Sequence, residues 1–296
     1  MKVFVTGASG FVGSAIVREL LTAGHQVLGL ARSEESAASI AALGAEVQRG
    51  SLDDLESLRS GAAACEGVIH TAFIHDFLNY AKAAEADRQA IETIGAELAE
   101  SNRPFVVTSG LAGLASNRAT TEEDVPAEPA VRYSEVAALP LASRGVRVSV
   151  VRLAPSVHGK DDHGFVPRLI EIAREKGISA YPGDGSNRWP AVHRLDAARL
   201  FRLALETGSA GSRYHGVAEE GVPVRDIATV IGRHLNLPVV AVPISEAGAY
   251  FGWLGAFFTR DIAASSKLTQ KWLGWQPTQP GLLDDLEQEY YYPKLE

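Results

Sequence analysis

The chain reads as an α/β protein: a doubly wound parallel sheet with a smaller C-terminal lobe. Three observations predict this. Short apolar runs alternate with helical patterns through the first half, a Gly-x-x-Gly-x-x-Gly turn joins the first run to the first helix, and the alternation dissolves after about residue 155. Alternating strands and helices fold most simply as parallel strands joined by crossover helices.

Taken in order, Val3, Phe4 and Val5 form a buried first strand, and Val12, Ile16 and Leu20 mark one face of a helix that Gly24 stops. Val27 to Leu30 is the second strand. Ser33 is placed as the N-cap of the next helix, with Glu34 and Glu35 in its first turn, Ile40 and Leu43 on its inner face, and Gly44 at its end. Ala45 to Gln48 is a third strand, Leu52, Leu55 and Leu58 mark a helix that Asp53 or Asp54 starts, and Gly67 to Ala72 is a fourth strand. Asn79 to Ser101 is a long helix with Ile91, Ile94 and Leu98 in register. Phe105 to Thr108 and Arg147 to Leu153 are two more strands, with a helix over Tyr133 to Arg144 between them. Beyond residue 155, helices are expected at Phe165 to Lys176, Asp196 to Glu206 and Val224 to Leu235, with Pro182, Gly183, Gly185 and Pro190 between segments. The predicted division is a main domain over 1–155 and a lobe over 156–296, with 189–206 returning to the main domain.

The glycine turn carries the chemistry. Gly7 permits a tight turn, Gly10 lets the backbone approach a bound phosphate, and Gly13 lets the helix pack close to the sheet. The N–H groups of Phe11, Val12 and Gly13 then lie at the positive end of the helix dipole, which suits a pyrophosphate. The strand before and the helix after supply the context that the dinucleotide-binding motif requires.

Which dinucleotide is read at the end of the second strand. An acidic residue there accepts hydrogen bonds from a ribose 2′-OH and repels a 2′-phosphate. Here Ala31, Arg32 and Ser33 stand in its place, and an arginine clamps a phosphate through charge-assisted hydrogen bonds. NADP(H) is therefore expected over NAD(H), with Ser9 and Ser33 adding hydroxyl contacts. Ser51 and Leu52 follow the third strand beside the adenine, Thr71, Ala72 and Phe73 end the fourth beneath the pyrophosphate and ribose, and Thr108 and Ser109 end the fifth beside the nicotinamide.

Composition narrows the function classes. A net charge of −8 argues against a nucleic-acid binder, the single cysteine, Cys65, excludes an internal disulfide, and no apolar run reaches the roughly 18–20 residues that span a bilayer. The expectation is a cytoplasmic protein without a membrane segment. No Cys/His cluster has metal-ligand spacing, so no metal site is expected, and the Gly-x-Ser-x-Gly elbow of serine hydrolases is absent.

These signatures together resemble the extended and atypical short-chain dehydrogenase/reductases, the group that includes NAD-dependent epimerases and dehydratases. The resemblance runs through Thr6 to Gly13, Gly67 to Ala72, Val106 to Ser109, Val151 to Gly159, Ala191 to Ala198 and Leu273 to Pro277. It implies a Rossmann domain, hydride transfer at a carbonyl or alcohol of a small molecule, cofactor contacts from Pro155, Val157 and His158, and a homodimer formed through the 79–101 and 133–144 helices.

The chain also departs from that pattern. Such enzymes carry Tyr-x-x-x-Lys before the sixth strand, the tyrosine giving the proton and the lysine lowering its pKa. Tyr133 is followed four residues on by Ala137, and counting back from Glu135 puts the expected pair at Ala127 and Val131, while the usual serine falls on Gly110. Three readings remain: a reductase using Tyr133 with Ser109; one in which His75, Asp76, His158 or His193 serves; or an NADP(H)-binding regulator without turnover. An NADP-dependent epimerase or isomerase is a further alternative. Phe73, Ile74, Phe77, Phe165, Trp189, Trp253 and Phe257 would make a substrate hydrophobic if they face the nicotinamide. Lys160, Arg168 and Arg188 are too scattered to favour a sugar nucleotide.

Overall fold

The computed structural model describes residues 1–76, 79–114, 118–126 and 132–293. Phe77, Ala127 and Val131 lie outside the described residues. In chain order the main elements are β1 (Lys2–Thr6), α1 (Phe11–Thr22), β2 (Gln26–Ala31), α2 (Glu34–Ala42), β3 (Glu46–Arg49), α3 (Leu55–Ala63), β4 (Gly67–His70), α4 (Tyr80–Glu97), β5 (Pro104–Gly110), α5 (Ser134–Ala138) and β6 (Arg147–Leu153). They continue with β7 (Ser156–His158), α6 (Phe165–Lys176), β8 (Ser179–Pro182), β9 (Arg188–His193), α7 (Arg194–Thr207), β10 (Ser212–Gly216), β11 (Glu219–Pro223), α8 (Val224–Leu235) and β12 (Val239–Val242).

The large sheet has the order β10-β6-β5-β4-β1-β2-β3, and its pairs are all parallel. Strand order reverses between β1 and β4, which opens a crevice at their C-terminal ends. The central strands are buried on both faces, as parallel strands covered by helices must be. Val3, Val5, Ile69 and Val106 pack with α1, α2 and α7, while Phe4, Val68, Phe105 and Val107 pack with α3 and α4.

Several local expectations have physical counterparts. Ser33 caps α2 by accepting from the Ser36 N–H at 3.1 Å, Asp54 caps α3 by accepting from Ser57 N–H at 3.2 Å, and Gly24 after α1 adopts φ +83°. Two differ. The fourth strand stops at His70, because Thr71 turns its hydroxyl back onto the Thr6 carbonyl at 2.8 Å. The helix expected over 133–144 is α5 followed by a 3₁₀ segment, Leu139–Arg144, because Pro140 lacks the N–H that a continued α-helix needs.

The large sheet also takes in β10, so residues 212–216 return to it along with α7. The remaining C-terminal residues build two small sheets, β11-β9-β7 and β12-β8, around Trp189, Phe251, Phe258 and α8. Asp196 at the start of α7 ties this part down, accepting from Thr278 N–H at 3.0 Å and Gln279 N–H at 2.9 Å. Among the described residues, no helix is long and apolar enough to cross a membrane. Cys65 is buried, which pushes its thiol up to about 11.

Candidate active site

The crevice is built first by the glycine turn. Gly7 sits at φ +70°, and a Cβ there would lie 2.7 Å from Thr71 Oγ1 and 2.8 Å from Ala72 N. Gly10 donates its N–H to the Gly7 carbonyl at 2.9 Å and caps α1 without any side-chain bond. A Cβ on Gly13 would stand 1.9 Å from the Gly7 carbonyl oxygen, so only glycine lets α1 lie this close. Ser9 and Gly10 are exposed, Phe11 and Val12 half-buried, and no acidic residue occupies the first turn of α1. The first-turn N–H groups have no intrahelical acceptor, so the arrangement fits a phosphate group.

The sequence-predicted residues flank this turn on both sides. Arg32 and Ser33 are exposed at the end of β2, and Arg32 makes no hydrogen bond or ion pair among the described residues. The acidic Glu34 beside it is paired with Arg49 at 2.5 Å. Ser51 and Leu52 are half-buried after β3, and Thr71, Ala72 and Phe73 are half-buried after β4. Thr108 is buried and donates to the His70 carbonyl at 2.8 Å. Pro155 and Val157 are half-buried, but the His158 side chain is withdrawn from solvent and meets Asp285 at 2.8 Å, under the C-terminal segment. Ser109 is 7% exposed and Tyr133 36% exposed, and no hydrogen bond joins them.

Of the other groups weighed as acids, His75 packs edge-on to Phe73 at 5.3 Å. Its pKa is lowered by burial and by the nearby charges of Arg132 and His163. His193 lies edge-on to His158 at 5.3 Å, and burial lowers it too. The aromatic residues form a wall: Phe165 is 5.5 Å from Trp189, 5.7 Å from Trp253 and 6.1 Å from Phe257. His163, two residues before Phe165, meets Phe11 of the glycine turn edge-on at 5.7 Å.

Several residues at the crevice carried no sequence signal. Arg132 lies over the Phe73 ring at 4.2 Å and donates to the Thr108 carbonyl at 3.3 Å. Tyr80 packs on Phe73 at 5.7 Å, and burial raises its pKa against the pull of Arg132. Arg194 lies over Phe11 at 4.5 Å and donates to Ser14 Oγ at 2.9 Å and to the Lys160 carbonyl at 2.7 Å. Behind the site, Arg152 at 0% exposure donates twice to Glu135, at 2.7 and 2.8 Å, and Arg213 reaches the same carboxylate at 2.5 Å. Glu135 thus serves as the bolt between α5 and the β6–β10 edge. Among the described residues, no group of three His, Cys, Asp or Glu side chains has the geometry to hold a metal ion.

A parallel sheet with a glycine-lined crevice at its order reversal defines a dinucleotide-binding fold of the Rossmann type. The family model described as "NAD dependent epimerase/dehydratase family" matches residues 3–217, and the chain belongs to that family. It is 52% identical over 295 residues to an uncharacterized protein of Schizosaccharomyces pombe, covering 99% of this chain and 100% of that one. It is 30% identical over 246 residues to a 4-hydroxy-2-methyl-3-oxo-4-farnesyl-3,4-dihydroquinoline-1-oxide ketoreductase of Stigmatella aurantiaca, covering 78% of this chain and 72% of that one. The dTDP-glucose 4,6-dehydratase DesIV of Streptomyces venezuelae, solved with NAD and TYD bound, shares the fold. Its TM-score is 0.79 at 20% identity, covering 99% of this chain and 97% of that one.

Proposed function

We propose that the protein is an NADPH-dependent oxidoreductase that reduces a ketone or aldehyde on an apolar small molecule. The observation that carries this reading is the first turn of α1, without a side-chain cap or an acidic residue and reached past the exposed Ser9 and Gly10, with Arg32 exposed and unpaired among the described residues at the neighbouring strand end. The main-chain N–H groups of residues 11–13 hold the pyrophosphate, Arg32 with Ser9 and Ser33 holds the 2′-phosphate, and Ser51 and Leu52 flank the adenine. Thr71, Ala72, Phe73 and Thr108, with Pro155 and Val157, line the other half of the cleft. Bound NADPH supplies the hydride. Tyr133 with Ser109 supplies the proton in this reading, which leaves the alcohol as product.

The apolar character of the substrate is supported by the cluster of Phe165, Trp253 and Phe257, which follows in sequence the His163 that meets Phe11. The farnesylated ketone named for the Stigmatella relative is a compound of that kind. The missing Tyr-x-x-x-Lys supports a second reading, a regulator that binds NADP(H) without turnover.

The test is a fluorescence titration with NADPH and NADH, followed by a panel of ketones and aldehydes monitored at the nicotinamide absorbance. Tighter binding of NADPH and its consumption with aryl, terpenoid or steroid-like ketones are expected. Preference for NADH removes the Arg32 assignment, and tight NADPH binding with no consumption across the panel selects the regulator.

A further inference from the structure

A cation stands on the side of the crevice opposite Arg32. Arg132 reaches in from just before α5, places its guanidinium over Phe73 three residues past β4, and donates from Nη2 to the Thr108 carbonyl near the end of β5. It therefore bridges the ends of β4 and β5. In this strand order, a dinucleotide whose pyrophosphate rests on α1 lays its adenosine over the β2–β3 side, so its other half crosses to the β4–β5 side. Nη1 of Arg132 has no partner among the described residues.

The guanidinium is held from behind by a buried chain. Arg132 Nε donates to Ser134 Oγ at 2.7 Å, and the Ser134 hydroxyl donates to Asp87 Oδ2 at 2.5 Å. Asp87 Oδ1 meets His70 Nε2 at 3.1 Å, and His70 Nδ1 meets the Thr6 hydroxyl at 2.9 Å. With the histidine proton on Nε2, every donor in this chain has an acceptor, and that pairing assigns the tautomer. Asp87 and Ser134 are fully buried and His70 is 1% exposed. Burial opposes ionisation of Asp87, but hydrogen bonds from His70 and Ser134 and the charge of Arg132 hold its pKa below the ordinary carboxylate value. A buried carboxylate requires such company. One end of Arg132 is thereby fixed, and its outer edge is left to a ligand.

We propose that Arg132 clamps the nicotinamide-side ribose of the dinucleotide through its outer N–H groups, with Ser134 and Asp87 as positioning residues. A planar guanidinium suits this role, since two parallel N–H bonds match two neighbouring oxygens. The proposal rests on the dinucleotide reading of the glycine turn, and the test separates the two.

ADP-ribose carries the second ribose and ADP lacks it; their 2′-phosphorylated forms extend the comparison to NADPH. Binding of each is measured by calorimetry to the full chain. Wild type is expected to bind ADP-ribose more tightly than ADP. Arg132→Gln is expected to weaken ADP-ribose and NADPH about tenfold to a hundredfold, the usual worth of hydrogen bonds from a charged group, with ADP unchanged. Arg132→Lys is expected to recover part of the loss. Asp87→Asn is expected to reproduce it more weakly, again with ADP unaffected. Equal weakening of ADP and ADP-ribose would assign Arg132 a purely structural role and overturn the proposal, as would unchanged affinity for all ligands. A wild type that binds none of them refutes the dinucleotide reading, and this proposal with it.

Discussion

Gly10 and Gly13 are three residues apart in one motif, yet alanine at each should fail in a different way. At Gly13 a Cβ would sit 1.9 Å from the Gly7 carbonyl oxygen and 2.7 Å from its carbonyl carbon. A van der Waals contact needs more than an ångström of extra room, and both sides are backbone. Space beside Gly7 is also short, since a Cβ added there would lie 2.7 Å from Thr71 Oγ1 and 2.8 Å from Ala72 N. Overpacking of this kind costs about 1–3 kcal/mol, and a rigid backbone on both sides puts Gly13→Ala near the top of that range. For a chain of this size that corresponds to a melting point lower by about 5 °C.

At Gly10 the nearest atom to a new Cβ is the Gly7 oxygen at 3.2 Å, and the residue has an ordinary φ of −75°. Alanine there should cost about 1 kcal/mol or less as a poorer N-cap, at most about 2 °C. Its methyl would stand on the exposed side where a phosphate approaches, so NADPH affinity should fall by roughly tenfold or more, about 1.4 kcal/mol. Thermal melts and NADPH fluorescence titrations on the two variants check this. A Gly13→Ala protein melting within 2 °C of wild type (about 2 °C being what 1 kcal/mol is worth here), or a Gly10→Ala protein with unchanged NADPH affinity, would refute the reasoning.

Other outcomes follow from the same geometry. Arg32→Ala should weaken NADPH about tenfold or more while leaving NADH unchanged, because only the 2′-phosphate loses its charged partner; competitive titration reads the ratio. Tyr133→Phe should cut ketone turnover about a hundredfold with NADPH affinity unchanged; equal turnover would move the proton to histidine or water. Glu135→Gln strands Arg152, fully buried, and should lower stability by about 3 kcal/mol in denaturant melts. Burial works against the Glu135 charge, but Arg152 and Arg213 outweigh it and hold the folded pKa below the unfolded one. Its stabilisation is therefore full above the ordinary glutamate pKa and is lost as pH falls through the depressed folded value, so wild type and variant should converge in acid.

Much of the main domain was legible because its signals are local. The alternation of apolar runs and helical patterns located the strands from β1 to β6, and Arg147–Leu153, Phe165–Lys176 and Val224–Leu235 were bounded as the structure has them. Ser33 and Gly24 were legible because a cap and a stop act within one turn of chain. The short strands β7 to β12 were not, since each has three to six residues and is held by partners far away in sequence. The 133–144 segment, expected as one helix, divides because Pro140 lacks the N–H that would carry α5 onward.

The chain's order of residues is sufficient to specify the glycine turn, since a positive φ at Gly7 and a close approach at Gly13 are demands on single positions that only one amino acid meets. The far half of the crevice is different. Thr6, His70, Asp87 and the pair Arg132 and Ser134 come from four separate places in the chain and meet only because parallel strands end together under α4 and α5. No spacing rule links them. Folding selects that chain because a buried carboxylate is tolerated only where hydrogen bonds and a counter-charge reach it.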